Sequence, residues 1–191
     1  MHLFHSRTGT ARAASAKTSA GASSRICFQG KPVAVTGKFP QAGEQAPDFR
    51  LVNTELDDVG LADFGDHYKV LYIFVSADMP VCALSLHTFN EMATVVPNIT
   101  VIGISSDPSF VQRRVRNTAG MDNLIMLSAF RAAHFSSSYG VAIADGQLKG
   151  LMARAVLVLD QNNQILFSQR LDEITEDPDY ENILMALTTF R

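Results

Sequence analysis

The stretch Val70-Leu71-Tyr72-Ile73-Phe74-Val75 constrains this chain more than any other. It is a continuous apolar run of strand length, rich in β-branched and aromatic side chains that favour extended backbone. Because nothing polar alternates within it, both faces of the strand need cover, which predicts a sheet lying between helices. Val101 to Ile104 and Ala155 to Leu159 repeat the pattern. After the first run, Leu86, Phe89, Ala93 and Val96 recur at helical spacing, and Pro97-Asn98 stops that helix. Strand, helix, strand marks a parallel pair joined by a crossover, so an α/β fold is expected.

The flanking segments add a hairpin and a closing helix. Residues 26–37 read as two short strands, with Gln29-Gly30-Lys31-Pro32 as the turn. Lys38 to Pro47 reads as loop, and Phe49 and Leu51 alternate with polar neighbours as a half-buried strand does. Near the end, Asp177-Pro178 supplies an N-cap and a proline at the first helical position, followed by Tyr180, Ile183, Leu184 and Leu187 on one helical face.

With 191 residues and 47% hydrophobic content, one domain with a real core is expected, spanning 25–191 behind a leader at 1–24. The first 43 residues hold six Lys or Arg and no acid, so the remainder carries ten basic against nineteen acidic residues. An acidic body without a basic stripe offers no footprint for nucleic acid. No apolar run approaches the roughly 20 residues of a membrane-spanning helix. The Ser-, Ala- and Thr-rich leader lacks the apolar core of a secretory signal; a disordered extension and an organellar transit peptide both fit its composition. A cytoplasmic location is expected, or an organellar one if the leader is a transit peptide.

Cys27 and Cys82 are too few for a disulfide framework and form no CxxC pair, which suits a reduced, intracellular chain. The five histidines have no metal-ligand spacing, so neither metal nor other cofactor is expected. His87, five residues after Cys82, reads as helix surface rather than as part of a site. Arg113, Arg114 and Arg116 read as a solvated helix face, with an anionic partner as the alternative. Glu173, Glu176, Asp177 and Asp179 read as loop and helix-cap acids rather than catalytic carboxylates.

The setting of Cys82 points to chemistry. Pro80 drives residue 79 out of the helical region and suits a first helical turn, so the helix starts there and Cys82 lies in that turn. Unpaired N–H groups and the positive end of the helix dipole favour a thiolate at such a place. The dipole alone, at ~0.3–1 kcal/mol, is too weak to activate a thiol. A guanidinium nearby is required, and Arg154, at the end of a strand, is the candidate. A buried, inert thiol is the alternative.

Several segments together carry a family resemblance: Gly30-Lys31-Pro32-Val33, Pro40-Gln41-Ala42-Gly43, Ala46-Pro47-Asp48-Phe49, Pro80-Val81-Cys82-Ala83, the block from Tyr139 to Asp160, and Ser168 to Tyr180. In this order, from about Ile26 to the C-terminus, the chain closely resembles the bacterial thiol peroxidases, an atypical two-cysteine branch of the peroxiredoxins. The resemblance implies a thioredoxin-like fold, with a central mixed sheet flanked by helices and an N-terminal β-hairpin. It further implies a homodimer that reduces hydrogen peroxide or organic hydroperoxides and is regenerated by a thioredoxin-like or small-thiol reductant. Cys82 matches the family's peroxidatic cysteine, which becomes a sulfenic acid, and Arg154 matches its activating arginine.

Three positions depart from that pattern. In the family's Pro-x-x-x-Thr-x-x-Cys motif the proline falls on Val75 and the threonine on Met79, while the family's resolving cysteine falls on Arg116. Met79 offers neither the cap nor the hydroxyl donor of a threonine. A sulfenic acid at Cys82 must then meet an outside thiol, reach Cys27, or oxidise further. The expectation is a thiol peroxidase with weakened turnover, the alternative a redox sensor or interaction protein that keeps the fold without the catalysis.

Overall fold

The computed structural model describes residues 23–189. The leader, apart from Ser23 and Ser24, lies outside the described residues. In chain order the elements are β1 (Ser23–Phe28), β2 (Lys31–Thr36), β3 (Arg50–Val52), β4 (Asp58–Gly60), β5 (Tyr68–Ile73), α1 (Pro80–Val95), β6 (Ile99–Ser105), α2 (Ser109–Ala119), β7 (Leu124–Ser128), α3 (Phe135–Ser138), β8 (Ala142–Ile143), β9 (Ala155–Leu159), β10 (Ile165–Arg170) and α4 (Tyr180–Thr189).

β1 and β2 form the predicted hairpin, with a turn tighter than the four residues Gln29 to Pro32. Gln29 and Gly30 both have positive φ, 52° and 74°, as a two-residue type I′ connection requires, and Lys31 and Pro32 already belong to β2. β8 extends this pair to three strands. The main sheet runs β10-β9-β5-β6-β7-β3-β4. β5, β6 and β7 are parallel, whereas β9 lies antiparallel to β5, so the central sheet is mixed.

All six residues of β5 are buried, as the apolar run demands. Tyr72 stacks on Phe74 with ring centroids 5.2 Å apart and meets Phe89 of α1 at 4.8 Å. α1 buries Cys82, Ser85, Leu86, Phe89 and Met92, a stripe at helical spacing that seats Cys82 on its core face. Val96 closes the helix, and Asn98 turns the chain at φ 55°.

At the C-terminus the cap moves two residues from its expected place. Asp179, not Asp177, accepts the Asn182 N–H at 3.1 Å, so α4 starts at Tyr180. Ile183 and Leu187 are buried as expected, while Leu184 stays exposed.

Candidate active site

Cys82 is the third residue of α1, a free thiol with no exposed surface. Met79 occupies the N-cap position in extended conformation, and its side chain makes no capping bond. Its carbonyl accepts from the N–H groups of Cys82 and Ala83, both at 2.9 Å. The helix therefore begins as Pro80 dictates, but without the side-chain cap that stabilises such ends by ~0.5–2 kcal/mol.

Arg154 lies one residue before β9 begins, rather than at the end of a strand, and is also wholly buried. Its Nε–H donates to the Tyr72 hydroxyl at 3.1 Å. Nη1 donates to the carbonyls of Ile174 at 2.7 Å and Glu176 at 2.6 Å. Nη2 donates to Ser85 Oγ at 2.6 Å and, at 3.4 Å, to the Val81 carbonyl. Val81 and Ser85 bracket Cys82 on the first turns of α1, so the guanidinium lies against the helical turn that carries the sulfur. Among the described residues, none of its five acceptors is a carboxylate. A buried cation held only by neutral oxygens leaves its charge available to an anion forming nearby.

Tyr72, Ser85 and Tyr180 complete this arrangement, and sequence reasoning alone does not single them out. The Tyr180 hydroxyl donates to Ser85 Oγ at 3.0 Å. The Tyr72 phenol is pushed well above its ordinary range, first by burial and then by the nearby Cys82 charge, against the opposing pull of Arg154. The Tyr180 phenol is raised too, chiefly by burial. The signal that could have found Tyr72 is chemical: a phenol inside a strand covered on both faces must find a partner for its hydroxyl.

The loop leading into α1 holds Val75 and Met79. Val75 is buried in the core, and Met79 is half-buried against it. Between them the backbone is tied to Asp107, which accepts from Ser76 Oγ at 2.8 Å, the Ala77 N–H at 2.7 Å and Ser105 Oγ at 2.7 Å.

Arg116 stands on α2 and points its guanidinium at Asn117 and, at 3.5 Å, Thr54. Arg113 and Arg114 pair with Glu55 at 3.7 Å and Asp78 at 3.4 Å, which fits a solvated helix face. His87 is exposed on α1. Cys27, half-buried on β1, donates its N–H to Asp172 and accepts from the Ile174 N–H, so its strand borders the segment whose carbonyls hold Arg154. Glu173 binds the hairpin turn and Asp179 caps α4, in keeping with loop and cap acids.

Comparison with known proteins converges on the same class. A family model described as redoxin matches residues 41–184. Over 160 residues the chain is 42% identical to a thiol peroxidase of Corynebacterium glutamicum, covering 84% of this chain and 96% of that protein. A crystal structure of a peroxiredoxin-like protein from Aquifex aeolicus superposes with a TM-score of 0.81 at 29% identity, over 90% of this chain and 100% of the other. Thiol peroxidase from Chromobacterium violaceum gives 0.81 at 27% identity, over 87% and 96%. The chain belongs to the redoxin family, a peroxiredoxin-type oxidoreductase on a thioredoxin-like fold. Within that family its place is among the bacterial thiol peroxidases, as the motif resemblance implies.

Proposed function

We propose that the protein reduces hydrogen peroxide or organic hydroperoxides through Cys82, with turnover weakened by the changes at Val75 and Met79. The observation that carries this reading is Arg154: a buried guanidinium that pairs with no carboxylate among the described residues, bonded to residues on both sides of Cys82. The Cys82 thiolate attacks one peroxide oxygen, the O–O bond breaks, and the departing alkoxide or hydroxide takes up a proton. Cys82 is left as a sulfenic acid, oxidised by the two electrons the peroxide gains. Arg154 stabilises charge first on sulfur and then on the leaving oxygen.

Because position 116 is arginine, reduction comes from an external thioredoxin-like or small thiol. One thiol displaces water from the sulfenic acid to form a mixed disulfide, and a second releases Cys82 with a disulfide of the reductant. A homodimer and a cytoplasmic location belong to this proposal; the thiol peroxidase relatives are bacterial and lend no support to an organellar leader. The complete burial of Cys82 favours one second reading, a slow sensor in which local opening limits access of peroxide.

Peroxide consumption with dithiothreitol, and then with thioredoxin, decides between them. The expected result is consumption with at least one donor, abolished in Cys82→Ser. Intact mass should show sulfenic acid, a mixed disulfide or over-oxidised sulfur at Cys82. A Cys27–Cys82 bond as the major product would overturn the external-thiol route, and no Cys82-dependent consumption with either donor would retire the peroxidase reading in favour of a sensor or interaction protein.

A further inference from the structure

We propose that Tyr72 is a positioning residue for this chemistry: with Ser85 it fixes the plane of the Arg154 guanidinium against the turn that carries Cys82. The inference rests on reading Cys82 and Arg154 as the reacting pair. A guanidinium has five N–H donors, and here all five are engaged. Three acceptors are main-chain carbonyls, of Val81, Ile174 and Glu176. Only two are side chains, and they take the ends that the main chain leaves free: Tyr72 receives Nε–H and Ser85 the shorter Nη2 bond.

Tyr72 is well suited to act as a fixed point. Its backbone is paired on both sides, opposite Gly103 of β6 and Val156 of β9. Its ring packs against those of Phe74 and Phe89 and has no exposed surface. Ser85 is anchored on α1 and receives the Tyr180 hydroxyl as well as Arg154. The phenol also stays protonated and neutral, since burial first and the Cys82 charge second oppose its ionisation.

Against these fixed points one bond stands out as exchangeable. The Nη2 contact with the Val81 carbonyl, at 3.4 Å, is the longest of the five, and Val81 immediately precedes the reactive position. As the least committed of the five, that N–H can exchange the carbonyl for negative charge developing on sulfur or on the leaving oxygen, while Tyr72 and Ser85 keep the group in place. Met79 supplies no hydroxyl to share the task, so the aim of Arg154 matters more than in a site with a threonine there.

Tyr72→Phe tests this by deleting one oxygen from a buried ring, in a Cys27→Ser background so that only Cys82 reports. Two quantities are measured on folded protein, checked by thermal melting: the second-order rate of Cys82 oxidation by hydrogen peroxide, and the pH profile of its alkylation by iodoacetamide. The expected result is a peroxide rate lower by ~10-fold or more, with the alkylation profile moved to higher pH. Ser85→Ala should act in the same direction and Ser85→Thr, which keeps the hydroxyl, should recover most of the loss. In an Arg154→Lys background, Tyr72→Phe should add little, because both act through one group.

A folded Tyr72→Phe protein with unchanged rate and profile would overturn the proposal and leave Tyr72 a packing residue. If the parent protein shows no Cys82-dependent peroxide reduction, the peroxidase reading falls, but the alkylation profile still decides whether Tyr72 acts on Cys82. Should Tyr72→Phe fail to fold, the Ser85→Ala and Ser85→Thr pair decides the question by the same two measurements.

Discussion

Two regions meet at Cys82, and they differ in what they retain. On the arginine side, every N–H of Arg154 has an acceptor drawn from β5, α1 or the segment before α4, and the residue is sealed from solvent. On the loop side, Val75 and Met79 are the positions at which the motif resemblance implies a rigid ring and a hydroxyl. The loop is nonetheless anchored, because the Asp107 carboxylate gathers Ser76, Ala77 and Ser105, and the Asp107 carbonyl accepts from Ser128 Oγ at 2.5 Å. The difference separates two things that a motif merges. The shape of a loop can be kept by an acid from a neighbouring strand end, whereas a lost donor aimed at the substrate has no backbone substitute.

The comparison is most exposed to a change at Arg154. Arg154→Lys keeps the charge but replaces a planar five-donor fork with three donors at a point, leaving several buried acceptors unpaired. The peroxide rate should fall by ~10²–10³, measured by stopped flow on single-turnover oxidation. A loss below tenfold would mean that the arginine side is structural and that Cys82 is activated by its helix start alone.

Met79→Thr probes the opposite side with the opposite sign. Restoring a hydroxyl next to Pro80 should raise the peroxide rate by up to ~10²-fold, less if Val75 leaves the pocket misshapen. A threonine cap should also stabilise the start of α1 by about 0.5–2 kcal/mol, so activity and melting temperature should rise together. A well-folded variant with unchanged or lower reactivity would assign Met79 to another function.

Asp107→Ala should have a smaller effect on rate than either, roughly tenfold downward, because it loosens the loop without removing a reacting group. It should cost about 1–3 kcal/mol in stability, since Ser76, Ala77 and Ser105 lose their shared acceptor. Urea titration separates the two effects: a rate that falls while stability holds would make Asp107 part of the site rather than of its scaffold.

Much of this molecule is legible in the chain, and the limits have physical causes. The apolar run at β5 announces burial on both faces, and Pro80 marks the start of α1, because both signals are local. Strand direction is not legible: the sequence of β9 reads like that of β6, yet it pairs antiparallel to β5, since burial pattern carries no polarity. The cap of α4 is ambiguous because Asp177 and Asp179 flank Pro178, and only the fold shows which carboxylate reaches the Asn182 N–H. Arg154 is legible as the candidate guanidinium, by the needs of a thiolate and by resemblance, but its partners Tyr72 and Ser85 lie 82 and 69 residues away, beyond any periodicity. Tyr72 also sits inside an apolar run, where its ring accounts for its presence and its oxygen goes unnoticed.

The smallest expected effect asks how far the arginine side extends. Glu173 adjoins Ile174, whose carbonyl holds Arg154, and its carboxylate accepts from the N–H groups of Gln29 at 3.0 Å and Gly30 at 2.9 Å in the hairpin turn. Burial pushes this carboxyl up, but bonds from Gly30, Thr175 and Gln29 outweigh it and hold it below the usual carboxylate range. A lowered folded value means that the charged form stabilises the fold. That contribution is complete above the unfolded value of about 4.3 and is lost as pH falls through the lower folded one. Glu173→Gln should therefore cost about 0.5–1.5 kcal/mol near neutral pH, and the difference from the parent should vanish in acid. Hydrogen exchange should quicken at the amides of Gln29 and Gly30, while the rate of Cys82 with peroxide should change by less than about twofold, as for independent sites. A larger change in that rate would show that the hairpin, with Cys27 on it, is coupled through Ile174 to Arg154, and the boundary between the reacting group and its surroundings would have to move outward to include β1.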